Sequence, residues 1–262
     1  MQQLQLPDPV RELVGDDELV PIAVGRSAAA TLRCVSGDGD RILKVQAVDP
    51  LGTSLVGEGD RMRWLTPHVP VPAVLASGSD GSTEWLLTAA LPGTDATDPL
   101  HHVDPEQLVR TLGAGLRRFH DATPVEGCPF DARTATDLDR AGDRVRGDRV
   151  DADDFGALYH GLSAAELYET IRSLAPPPDD DLVVLHGDYC VPNVVLDEGT
   201  ITGYVDLGRC GVGDRHRDLA IACRSIGLNF GGHAAGVFLD AYGIERPDLS
   251  RIDYFVMLDE LF

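Results

Sequence analysis

Three short polar side chains stand close together between Leu185 and Arg209: Asp188, Asn193 and Asp206, in the spacing Asp-x4-Asn-x12-Asp. Phosphoryl transfer needs such a set, a carboxylate that orients a hydroxyl and accepts its proton plus hard oxygen ligands that hold Mg²⁺ on nucleotide phosphates. Asp188 suits the first task; Asn193 and Asp206 suit the second. Taken singly, Asp188 and Asn193 are ordinary turn formers and Asp206 a solvated strand end. Taken together across a strand hairpin, they read as a site. His186 is better placed to hydrogen-bond the loop backbone, because Asp188 already fills the base position.

These groups need elements to hold them. The apolar run Leu182 to Leu185 feeds the loop, Val194 to Leu196 leaves it, Asp197-Glu-Gly199 reads as a turn, and Ile201 to Val205 as the returning strand. Asn193 and Asp206 then fall at one end of a two-stranded ribbon. Far upstream, Lys44 is the one lysine among 22 basic residues, as expected where a compact ammonium is needed rather than a planar fork. It lies in a strand, Arg41 to Val45. Leu55, Glu58, Met62 and Leu65 follow at i, i+3, i+7 and i+10, one face of a helix. A carboxylate on that face requires a cation, and Lys44 is the nearest in sequence. The loop from Val24 carries Gly25 and the small residues Ser27 to Ala30, which would let backbone approach phosphates closely; a plain hairpin is the alternative.

Composition sets limits. With 262 residues and 43% hydrophobic content, the chain can build a large core, as one domain or as two sharing a cleft. It has no apolar run that would cross a bilayer, and its N-terminus has neither a basic nor an apolar leader segment, so a cytoplasmic protein is expected. Five scattered cysteines, none in a Cys-x-x-Cys pair, argue against a zinc site or a disulfide framework. Cys190 and Cys210 flank the proposed site but lack a paired base, which makes them packing residues. The net charge of -21 disfavours nucleic acid and anionic membranes and suits a polycationic small molecule; a salt-adapted host would give the same imbalance.

At the loop itself the pattern becomes specific. His186-Gly-Asp188-x4-Asn193 with Asp206-Leu-Gly-Arg209 resembles the aminoglycoside phosphotransferase branch of the protein-kinase-like fold, and Met257-Leu-Asp-Glu-Leu-Phe262 is similar to the ending of aminoglycoside 3'-phosphotransferases. Cys128-Pro-Phe130 also resembles a segment of that family. The resemblance implies an α+β, two-lobed protein-kinase-like fold, with a nucleotide-binding lobe over residues 1–90, an antiparallel sheet with one helix, and a mainly helical catalytic lobe over 91–262. It implies ATP, with GTP as an alternative, and Mg²⁺. Ser27 would sit near the β-phosphate, Lys44 steadied by Glu58 would hold the α- and β-phosphates, and the backbone of Ala89 to Leu91 would hold the adenine edge. Ile42 stands where related enzymes often stack an aromatic on the base. Asp218 would hold the amides of the catalytic loop.

For the acceptor, the resemblance implies a cationic aminoglycoside phosphorylated at its 3'-hydroxyl and thereby inactivated. Asp153, Asp259, Glu260 and the end of the chain at Phe262 would gather its ammonium groups, with Arg209 salt-bridging local carboxylates and setting the pocket floor. Gly227-Leu-Asn229 and Gly156 fall where further acids occur in relatives, implying fewer ion pairs and a narrower range of drugs. A monomer or weak dimer is expected. Two rivals remain: the same fold acting on another hydroxylated compound such as choline or homoserine, and a nucleotide-binding pseudokinase.

The remaining stretches predict strands over Val69 to Ala76 and Trp85 to Leu87, and a helix opened by Asp104 and Pro105 with the stripe Leu108, Leu112, Leu116 and Phe119. His101, His102 and His120 are expected on surfaces or helix ends. Ser163-x-x-Glu166 is a capping box. A helix is expected from an N-cap at Asp214 to a glycine stop at Gly227, with final helices through Phe238 to Tyr242 and from Ile252 onward.

Overall fold

The structure, a computed structural model, describes residues 6–22, 29–98 and 104–262. The N-terminal part is an antiparallel sheet of β1 (Glu18–Pro21), β2 (Ala30–Val35), β3 (Arg41–Ala47), β4 (Val74–Ser79) and β5 (Thr83–Ala89), in the order β1-β2-β3-β5-β4. The period of two along β3 sends Leu43 and Val45 to one face. There they join Leu32, Cys34, Trp85 and Leu87 beneath Val10 and Val14 of α1 (Asp8–Val14). Ile42 and Lys44 consequently lie on the opposite face, where Leu86, the cross-strand partner of Lys44, meets α2 (Leu55–Leu65). Ser54 caps α2, its hydroxyl accepting from Gly57 N at 3.2 Å.

The remainder is mainly helical. A short strand β6 (Thr94–Asp95) precedes α3 (Pro105–Ala122), which Asp104 caps by accepting from Gln107 N at 3.0 Å. The predicted stripe of α3 is buried and packs along a later helix, α7 (Ala234–Tyr242). Next come α4 (Thr134–Arg146) and α5 (Ala164–Ser173), the latter opened by the Ser163–Glu166 capping box. Strand β7 (Leu182–Leu185) leads to the loop, and β8 (Val194–Asp197) with β9 (Thr200–Tyr204) forms the hairpin beyond it. Strand β10 (Gly211–Asp214) returns to pair with β7, and α6 (His216–Phe230) and α8 (Leu249–Asp259) complete the chain. One apolar cluster joins Leu55, Met62, Leu65 and Leu86 to Leu112, Phe119, Val194 and Leu207, so buried contact runs without a break past residue 90. Among the described residues no helix is long and apolar enough to cross a membrane.

Several elements differ from the expectations. The strand expected over Val69 to Ala76 is displaced to Val74–Ser79, because Pro70 and Pro72 lack the N–H that a ladder needs. Helix α4 was not foreseen: its buried side is Thr134, Asp137, Ala141 and Gly142, which makes no apolar stripe. Asp214 ends β10 rather than capping α6, although its carboxylate accepts from His216 N at 2.8 Å. Helix α6 runs through Gly227 and stops at Gly231, whose φ of 89° suits a helix stop.

Candidate active site

The loop after β7 is held from three sides. Asp218, near the start of α6, is fully buried and accepts from His186 N at 2.7 Å and Gly187 N at 2.9 Å. Tyr189 donates its hydroxyl to Leu112 O of α3 at 2.9 Å, and Val191 N donates to Ser225 Oγ of α6 at 2.9 Å. Gly187 is obligatory here. Its φ is 88°, and a Cβ would lie 2.2 Å from Arg209 O. Burial tends to raise the Asp218 carboxyl, but the His120 hydrogen bond, both nearby histidines and the loop amides outweigh it, so it sits below its ordinary value.

His120 corrects an expectation. It is buried, not superficial, with Nε2 3.0 Å from Asp218 Oδ2 and Nδ1 2.8 Å from Tyr242 Oη. Donation to the carboxylate puts the proton on Nε2 and leaves Nδ1 to accept from the tyrosine. The signal was present: His120 follows Leu112 and Leu116 at i+8 and i+4, on the buried stripe of α3. His101 and His102 lie outside the described residues, as does Ser27.

Asp188 and Asn193 meet directly. Asn193 Nδ2 donates to Asp188 Oδ2 and to Asp188 O, each at 3.0 Å. Burial, with Asp259 and Asp206 adding to it, pushes the Asp188 carboxyl above its ordinary value against the pull of Arg209 and His186. His186 Nδ1 accepts from Asp188 N at 3.3 Å, a contact with the loop backbone. Val205 N donates to Asn193 O at 3.0 Å, which closes the hairpin and brings Asp206 beside Asn193. Asp206 adopts φ 60°, a left-handed conformation unusual outside glycine, which packing around it must hold.

Lys44 crosses to this loop from β3. Its Nζ lies 2.8 Å from Glu58 Oε1 of α2 and also contacts Asp206 Oδ1. Glu58 is buried. Burial disfavours the Lys44 charge, yet two flanking carboxylates raise its affinity for the proton overall. One ammonium divided between two carboxylates does not fully offset Glu58, whose burial leaves it above its ordinary value.

Around the acceptor side, Arg209 Nη1 pairs with Asp259 Oδ1 at 2.8 Å and its guanidinium stacks 4.3 Å above the Phe262 ring. Arg224 Nη2 takes the other Asp259 oxygen at 2.7 Å, and Arg224 Nη1 takes Glu260 Oε1 at 3.0 Å. Glu260 Oε2 accepts from Gly156 N at 2.8 Å. Asp259 and Glu260 thus converge with Arg209 and Phe262, but arginines already compensate them. Asp153 is exposed on the 3₁₀ turn Ala152–Asp154, three residues before Gly156. The role of Arg224 was not foreseen.

Ala89 and Leu91 line a cavity of 910 Å³ whose wall includes Arg33, Asp40 and Arg41 but none of Ile42, Lys44, Asp188, Asn193 or Asp206. Arg41 and Lys44 alternate along β3, so that cavity opens toward the other side of the sheet. Chemistry, not size, locates the site at Lys44 and Asp206. Ala89 N and Ala90 N are engaged by Ala73 O and Asp40 O at 2.9 and 3.0 Å. Burial pushes the thiols of Cys190 and Cys210 well up, so both are inert packing groups.

Among the described residues no group of three or more His, Cys, Asp or Glu could hold a metal ion. Asn193 and Asp206 supply a sparser oxygen set. That suits Mg²⁺, which keeps several waters and completes its shell on substrate phosphates.

A family model described as a phosphotransferase enzyme family matches residues 18–255. The aminoglycoside 3'-phosphotransferase of Streptomyces fradiae is 38% identical over 215 residues, 79% of this chain and 80% of that one. The crystal structure of an aminoglycoside 3'-phosphotransferase of type VIII superposes with a TM-score of 0.85 at 32% identity, covering 97% of both chains. A second structure, the Streptomyces rimosus aminoglycoside phosphotransferase APH(3'')-Id with ADP and streptomycin, has a TM-score of 0.79 at 26% identity, covering 96% of this chain and 95% of that one. With the family match spanning most of its length, the chain belongs to the phosphotransferase enzyme family.

Proposed function

We propose that the protein transfers the γ-phosphoryl group of ATP to the 3'-hydroxyl of an aminoglycoside and so confers resistance. One observation carries the chemistry: Lys44, Glu58 and Asp206 form one contacting cluster, and Asn193, hydrogen-bonded to Asp188, adjoins Asp206 across the hairpin. Residues 1–90 would serve as the nucleotide lobe and 91–262 as the acceptor lobe. The added phosphate places negative charge where the drug's RNA target requires a cation. The enzyme would act in the cytoplasm, where ATP is available, as a monomer or weak dimer.

Asp188 would take the proton of the acceptor hydroxyl as that oxygen attacks phosphorus. Asn193 already engages Asp188 Oδ2, which leaves Oδ1 for the substrate. Asn193 Oδ1 and Asp206 would hold Mg²⁺. When bound, the ion offsets the charge of the β- and γ-phosphates. Lys44 would bind the α- and β-phosphates, held in place by Glu58. Ile42 offers the nucleobase an aliphatic surface, with the main chain of Ala89 and Leu91 at its edge. Asp153, Asp259, Glu260 and Phe262 would receive ammonium groups, with Arg209 fixing Asp259.

The test is ADP release with ATP or GTP, Mg²⁺ and a panel of kanamycin-like and neomycin-like drugs, followed by phosphorus NMR of the product. Drug-dependent turnover with phosphate on the 3'-oxygen is expected; absence of turnover on every drug would overturn the assignment. The arginine pairing of Asp259 and Glu260 favours one second reading, a less cationic acceptor, which choline and homoserine in the same panel would reveal.

A further inference from the structure

The segment that carries Asp206 is gripped from α2 at two points. Through the ammonium of Lys44, which lies 2.8 Å from Glu58 and also contacts Asp206, Glu58 holds the first. One turn further along α2, Arg61 donates Nε–H to Cys210 O at 2.8 Å. Between those points Cys210 N closes a turn on Leu207 O at 3.0 Å, so the carbonyl that Arg61 holds belongs to a turn starting one residue after Asp206. Gly208 lies so close to the start of α2 that a Cβ there would stand 2.2 Å from Thr53 Cγ2.

Arg61 is itself fixed. Its Nη1 donates to Gly57 O of its own helix at 3.0 Å, and its guanidinium lies 4.7 Å over the Phe130 ring. Phe130 packs edge-on against Trp64 of α2 at 6.3 Å, and its carbonyl accepts from Val212 N at 2.8 Å, just past the same turn. No carboxylate pairs with Arg61 among the described ion pairs. Its donors go to carbonyls and its charge to an aromatic face, an arrangement that fixes geometry rather than neutralising charge.

We propose that Arg61 is a positioning residue for the nucleotide site: by tying α2 to the Cys210 turn against Phe130, it sets the placement of Asp206 relative to Lys44 and Asn193. This rests on the reading of Asp206 as a ligand of the nucleotide-bound metal. Asp206 holds a left-handed φ of 60°, a conformation that relaxes unless its surroundings impose it. Loss of the Arg61 grip therefore acts first on Mg²⁺ and nucleotide; Arg209 lies in the same turn, but Asp259 keeps its second partner, Arg224, so the acceptor subsite shifts less.

Arg61→Met keeps the length and removes every donor; Arg61→Lys restores one. Calorimetry of ADP binding across a Mg²⁺ titration, with KM for ATP and for the drug, separates the effects. Arg61→Met should weaken Mg²⁺-dependent ADP binding and raise KM for ATP by about tenfold, with a clearly smaller rise in drug KM and Lys recovering part of the loss. Phe130→Leu, which spares the hydrogen bond, should shift the same parameters less and keeps the test decisive if Arg61→Met fails to fold. Wild-type Mg²⁺ and ATP dependence in a folded Arg61→Met, or an equal rise in both KM values, overturns the proposal. Asp206→Asn is the control: if it leaves Mg²⁺-dependent ADP binding intact, the metal-ligand reading falls and takes the proposal with it. If it loses binding while Arg61→Met does not, only the positioning role falls.

Discussion

Asp188 must be ionised to accept a proton, and its surroundings oppose that. Burial, then Asp259 and Asp206, hold its carboxyl above the usual range, while Arg209 and His186 pull the other way. Only the deprotonated form is competent, so turnover is full above that raised pKa and is lost as pH falls through it. The acid limb of kcat should therefore lie at higher pH than an ordinary carboxylate would give, as a pH–rate profile measures. Asp188→Asn should lower kcat by about 10² to 10⁴ with Tm and ADP affinity retained. At this scale the sequence was informative where neighbours are close along the chain: Asp188, Asn193 and Asp206 sit on one loop and hairpin. Residue spacing alone did not bring Lys44 to Asp206, because no local pattern encodes a contact between a strand of the sheet and a loop so far away; only the family resemblance put both at one nucleotide. Arg209 was expected to pair with nearby carboxylates and does so with Asp259, whereas Arg224, which compensates both Asp259 and Glu260, was hidden for the same reason.

At the scale of elements, Asp218 joins α6 to the catalytic loop and, through His120 and Tyr242, to α3 and α7. Both of its oxygens accept from loop amides, so Asp218→Asn turns a donor toward a donor. We expect a loss of about 3 kcal/mol, read by urea unfolding. The pH dependence has a definite sign. The folded-state pKa is depressed, so the stabilisation is present above the unfolded value and is lost as pH falls through the folded one. Asp218→Asn should flatten that acid limb. Elements with an apolar period were legible: β3, α2 and α3 appear where the alternation or stripe predicted. Helix α4 was not, because Asp137 and Thr134 take the inward positions that apolar residues usually hold. The start of α6 was misplaced because Asp214 serves β10 while its side chain still serves the helix.

Over the whole molecule, one apolar cluster spans the sheet part and the helical part. Calorimetry should accordingly record a single transition, with calorimetric and van't Hoff enthalpies in agreement. Leu112→Ala, which empties the shared core, should cost about 3 kcal/mol and lower that one transition without splitting it; two resolved transitions would show the parts melting independently. The lysine described above has a further use. An acylating reagent that attacks amines meets one ε-amine in the entire chain, and its side chain is only 14% exposed and bound to carboxylates on two sides. A protonated amine is no nucleophile, so adduct formation must wait for the cleft to open and release the proton. Mass spectrometry of the intact chain then becomes a clock of opening, which bound ADP and Mg²⁺ should slow and Asp206→Asn should hasten.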